Sequence, residues 1–137
     1  MPATGQKPAQ QSTSQSAPKS TIKILYGESD ETTLSSQGAE MKKAGHQVTT
    51  ALNRQGVQEA LRQGAFELVI LGATLSKEDR HHLPYMVKKS NTGTKVLVMH
   101  AGTHHHEVDA AVDPSMSMQR ILEKIAAVFQ PQIQPVR

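Results

Sequence analysis

The chain has 137 residues, a formal net charge of +3 and no cysteine. That length suits one domain with a modest core, and the lack of thiols excludes disulfides, thiol catalysis and thiolate metal sites. Aromatics make up only 3% of the chain and the basic residues are scattered, with short pairs at Lys42-Lys43 and Lys88-Lys89. This composition argues against a nucleic-acid surface, which needs a basic stripe or stacking platforms.

No apolar run approaches the roughly 20 residues of a membrane span, and the N-terminus lacks the apolar region of a secretory signal. A cytoplasmic protein with no membrane partner is expected. Residues 1–20 are rich in Gln, Ser, Ala, Pro and Thr, too polar to offset ordering entropy, and read as a disordered tail. Residues 130–137 carry two prolines and little periodicity, and read as a second tail.

Between the tails, residues 21–129 alternate strand and helix patterns. Residues 21–26 form a first strand. Ser29 or Asp30 caps a helix reaching about Ala44, with Leu34, Met41 and Ala44 inward and Gly45 as its stop. Residues 46–51 form a half-polar edge strand. Residues 55–62 form a short helix with Val57, Ala60 and Leu61 on one face, ended by Gly64. Phe66-Glu67-Leu68-Val69-Ile70-Leu71 is nearly continuous in branched aliphatics, as a strand buried on both faces requires. It runs into Gly72.

A helix over residues 77–89 follows, with Leu83, Met86 and Val87 inward. Pro84 is expected in or near its first turns, where proline is best tolerated. Tyr85 reads as a packing residue, and Lys88-Lys89 as a solvated helix end. Residues 95–99 form a fourth strand and residues 108–112 a weak fifth. The last helix, residues 115–129, has the clearest apolar stripe, including Met118, Ile121, Leu122 and Ile125. Alternating β and α elements with right-handed crossovers imply an α/β, doubly wound, flavodoxin-like parallel sheet of five strands in the order 2-1-3-4-5.

The framework of Ile24-Leu25-Tyr26, Ala44-Gly45-His46-Gln47-Val48, Phe66 through Leu71 and Lys95-Val96-Leu97-Val98-Met99 resembles the CheY-like receiver domains of two-component response regulators. The resemblance implies a set of site positions. Acidic residues after the first strand hold magnesium; here Glu28 stands at one such place and Ser29 replaces its neighbour. Gly72 stands where the phosphoacceptor aspartate would be, and His100 where a threonine or serine would contact the phosphoryl group. Asp113, before Pro114, stands in the place of a lysine.

Phosphoryl transfer to a carboxylate needs a nucleophile and positive clamps. Gly72 supplies no nucleophile, and Asp113 places negative charge where the family places positive. The chain therefore reads as a pseudo-receiver, not an enzyme, without cofactor, acting through protein contacts with a signalling protein or kinase of a two-component or phosphorelay system. A homodimer through the sheet edge or last helix is a further expectation. Between His100 and Asp113 only about seven residues remain for the return to the fifth strand. The family's fourth helix is therefore expected to be shortened or absent.

Two other readings stand beside this one. Glu28, His100 and Asp113, with Asp30, map to the carboxyl edge of the sheet, where a small-molecule or divalent-metal pocket would form; the plainer reading makes these acids helix-end residues. His104, His105 and His106, near His100, are weak metal candidates without helical ligand spacing. A displaced phosphoacceptor, Glu28 or Asp113, is the third reading.

Overall fold

In a computed structural model, residues 21–100 and 107–129 are described. The expected tails and the histidines His104, His105 and His106 lie outside the described residues. In chain order the elements are β1 (Lys23–Glu28), α1 (Glu31–Lys43), β2 (Gln47–Leu52), α2 (Asn53–Gln63), β3 (Leu68–Leu71), α3 (Lys77–Ser90), β4 (Lys95–Val98), β5 (Ala110–Ala111) and α4 (Met118–Val128). The five strands form one parallel sheet in the order β2-β1-β3-β4-β5. This is the expected architecture.

The period-2 alternation of the strands sorts their side chains onto two faces. Ile24, Tyr26, Leu68, Ile70 and Leu97 point to the face covered by α1 and α4, where they meet Leu34, Met41, Ile121 and Ile125. Leu25, Val69, Leu71, Val96 and Val98 point to the other face and meet Val57, Leu83 and Val87 from α2 and α3. The central strands β3 and β4 are thus buried on both sides. Among the described residues no helix is long and apolar enough to cross a membrane.

Local signals set the helix ends. Asp30 caps α1 by accepting from the Thr33 amide at 2.9 Å, and Gly45, at φ +104°, takes the left-handed turn that ends it. The Thr33 hydroxyl donates to the same oxygen at 2.7 Å, and these two bonds, side chain first, hold the Asp30 carboxyl below its usual range. The expected inward residue Ala44 is exposed, because the helix has already stopped; Gly38 is buried instead.

Three other expectations are corrected. Ser76 caps α3, so the helix starts at Lys77 and Pro84 lies buried in its interior. Tyr85 is 49% exposed rather than packed, with the Lys89 ammonium 5.9 Å from its ring centre. The last helix starts at Met118, not residue 115, since Ser115 is tied back to Asp113 and Ser117 supplies the cap.

Residues 99–109 join β4 to β5, and among the described ones no helix intervenes. A polar clamp holds β5 to its neighbour. Lys88, expected in solvent, reaches Thr94 O at 2.6 Å and Asp109 Oδ2 at 2.9 Å. Asp109 Oδ2 also accepts from Val96 N at 2.8 Å. Asp109→Ala should lower stability by about 1 kcal/mol, the worth of a partly exposed charged bond, read as a shift in urea midpoint. An unchanged midpoint would show the clamp to be idle.

At the bottom of the sheet Ile22 N donates to His46 Nδ1 at 3.2 Å. Burial pulls the imidazole below its ordinary 6.5. The unfolded chain therefore binds the proton first as pH falls. The contribution of His46 is complete above about 6.5 and is lost as pH drops through the lower folded value. The stability difference between wild type and His46→Gln should be flat above that pH and shrink on acidification. A difference that grows in acid would contradict this.

Candidate functional site

Parallel pairing carries the ends of β1 and β3 to the same height. Gly27 is level with Leu71, and Gly72 N donates to Gly27 O at 2.8 Å. Glu28 therefore comes to lie beside Gly72. Tyr26 and Glu28, two residues apart on one strand, share the α1 face.

Glu28 is 1% exposed. A buried carboxylate is costly unless it is fully hydrogen-bonded. Its Oε1 accepts from Thr74 N at 2.9 Å and from Thr74 Oγ1 at 2.6 Å. Its Oε2 accepts from the Tyr26 hydroxyl. The side chain of Gln37 meets the same hydroxyl at 2.8 Å. The one phenol proton is thus shared between two acceptors, Glu28 Oε2 and Gln37 Oε1.

Burial, reinforced by the bond to Glu28 and by its charge, pushes the Tyr26 phenol far above its ordinary 10.0. It stays a donor at any working pH. Thr74 Oγ1 in turn accepts from Ser29 N at 2.8 Å and Asp30 N at 3.0 Å. One carboxylate and one hydroxyl thus tie β1, the start of α1 and the β3–α3 loop together. Arg80 closes that loop from below, donating to Ala73 O at 3.3 Å and to Leu75 O.

The decisive geometry is at Gly72. A Cβ added there would sit 1.8 Å from the Glu28 carboxyl carbon and about as close to both oxygens, 2.0 and 2.1 Å. The carboxyl group of Glu28 occupies the volume into which any side chain at position 72 would grow. Glycine is required here for space.

Of the other sequence-derived positions, Ser29 joins this cluster through its backbone amide, which donates to Thr74 Oγ1. Asp113 is exposed and its Oδ1 accepts from Ser115 N at 2.9 Å and Ser115 Oγ at 2.8 Å. Those bonds lower its pKa below the usual carboxylate range, backbone first. His100 is exposed beyond the end of β4. Among the described residues no three His, Asp or Glu side chains come together to hold a metal ion. Sequence reasoning missed Thr74, Tyr26 and Gln37. A hydroxyl-bearing aromatic inside a buried strand, two residues before an acid, was the available signal.

No protein-family model and no curated protein matches the chain. Its fold is that of CheY-like receiver domains. The chemotaxis response regulator CheY4 of Vibrio cholerae superposes with a TM-score of 0.69 at 14% identity, covering 79% of this chain and 98% of that one. A CheY-like receiver domain protein of Methanospirillum hungatei gives 0.67 at 20% identity, covering 79% and 93%. The response regulator TrrA of Thermotoga maritima, solved with Mg2+ and BeF, gives 0.65 at 18%, covering 77% and 96%. The likeness is one of fold.

The contact between positions 28 and 72 predicts a coupled pair. Gly72→Ala should cost about 1–3 kcal/mol through overpacking. In a Glu28→Ala background the same change should cost at least about 1 kcal/mol less. Urea unfolding of the four proteins measures both; additive losses would disprove the contact.

Proposed function

We propose that this chain is a receiver-like signalling module that acts by protein contacts and takes no phosphoryl group at the ordinary acceptor position. The fold supports the receiver part of this reading, and the partner class follows from it: a signalling protein or kinase of a two-component system. The observation that carries the rest is the Glu28 carboxylate in the side-chain space of Gly72. Position 72 offers no nucleophile, and the volume an acceptor would use is filled.

Glu28 is a poor substitute acceptor. Attack on phosphorus needs an approach path to a carboxylate oxygen. Both Glu28 oxygens are engaged and the group is 1% exposed. Asp113 is solvent-exposed and its carboxylate is folded back onto Ser115. The ligand-pocket alternative built on Glu28, His100 and Asp113 gains no support, since Glu28 is buried and among the described residues no three His, Asp or Glu side chains come together.

Incubation with acetyl phosphate and Mg2+ should leave the intact mass unchanged. A stoichiometric phosphoryl adduct, stable in acid and labile in base, would overturn the reading and identify a displaced acceptor.

A further inference from the structure

β2 is an edge of the sheet, paired with β1 alone among the described residues. Soluble proteins guard such edges with lysine, proline or a bulge. The six residues of β2, QVTTAL, contain no charge and no proline. Gln47 N donates to Ile22 O at 3.0 Å. Gln47, Thr49 and Ala51 therefore turn their backbone groups toward β1, while Val48, Thr50 and Leu52 turn theirs outward.

The side chains of those three residues lie on the α1 face. Val48 packs at the rim of that core. Thr50 Cγ2 lies close against Gly38 of α1, 2.9 Å from where a Cβ would stand. Leu52 is 39% exposed, one of two large apolar side chains so exposed among the described residues.

We infer that β2 pairs antiparallel with β2 of a second copy, about a two-fold axis at Thr50, joining two sheets into one. Antiparallel bonding requires outward residues to face outward residues. A register centred on Thr50 uses all three: Thr50 faces Thr50 of the partner subunit, and Val48 faces Leu52 of the partner subunit. Cross-strand Thr–Thr and aliphatic pairs are favourable, and the exposed Leu52 is covered.

Charge selects a second copy as the occupant. A groove of about 370 Å³ runs between α1 and β2, with Glu31 toward one end and Lys42 toward the other. Neither makes an ion pair among the described residues. A two-fold axis reverses α1, so Glu31 faces Lys42 of the partner subunit and Lys42 faces Glu31 of the partner subunit. Isologous interfaces need this kind of self-complementarity. Gly38 and Ala39 keep the middle of the groove low.

The dimer concerns the sheet edge and is independent of the acceptor-site reading, which intact mass tests separately. Sedimentation equilibrium of the full chain should show a reversible dimer. Glu31→Lys, Lys42→Glu and Thr50→Lys should each raise Kd at least about tenfold, with thermal melts confirming that the variants fold. An equimolar mixture of Glu31→Lys and Lys42→Glu should recover the dimer, because each new charge then meets its opposite. A wild-type monomer up to about 100 μM, which is weaker than a useful self-association, overturns the inference. So does a dimer indifferent to these changes, or a mixture that stays dissociated while the single variants do.

Discussion

The Glu28 carboxyl lies where water does not reach, and the structure meets its hydrogen-bonding demand with donors. Tyr26 supplies one from the same strand and Thr74 supplies two from the loop after β3. A carboxylate met this way needs no cation. The consequence spreads outward. Thr74 can hold Glu28 only while its own oxygen receives the amides of Ser29 and Asp30, so the entry of α1 is placed by the same group. Gly72 can be nothing larger while the carboxylate stands beside it. The end of the sheet where α/β proteins keep their chemistry is here closed by its own side chains.

That closure ties the β3–α3 loop on two sides, through Thr74 to Glu28 and through Arg80 to Ala73 O and Leu75 O. The far part of the sheet is also built differently from a full five-helix wrapping. No described helix covers the passage from β4 to β5, and Lys88 with Asp109 does the joining instead. The surface around β5 and α4 is therefore built, among the described residues, without a helix between β4 and β5. At the opposite edge, β2 is six residues long and uncharged, and among the described residues it pairs with β1 alone.

Much of this was written locally. The run from Phe66 to Leu71 announced a strand buried on both faces, and the stripe of Met118, Ile121, Leu122 and Ile125 announced an amphipathic helix, because burial imposes its period on the sequence. Asp30, Gly45 and Gly64 marked helix ends through groups that act within a few residues. Strand order followed from crossover handedness. Lys88 was misread as solvated because its partner Asp109 is distant in the chain, and Tyr85 was misread as packed because helical spacing does not say where a face ends. The helix start at Lys77 was read correctly, but Pro84 was expected in its first turns and lies in its interior.

The chain alone determined the order of elements, the two faces of the sheet and the absence of a side chain at position 72, since each depends on residue type and short-range spacing. Only the folded molecule decided what fills the space beside it. Glu28 and Thr74 are 46 positions apart, and no pattern along the chain relates them. Their meeting depends on the parallel register of β1 against β3, which is set by the whole core packing at once.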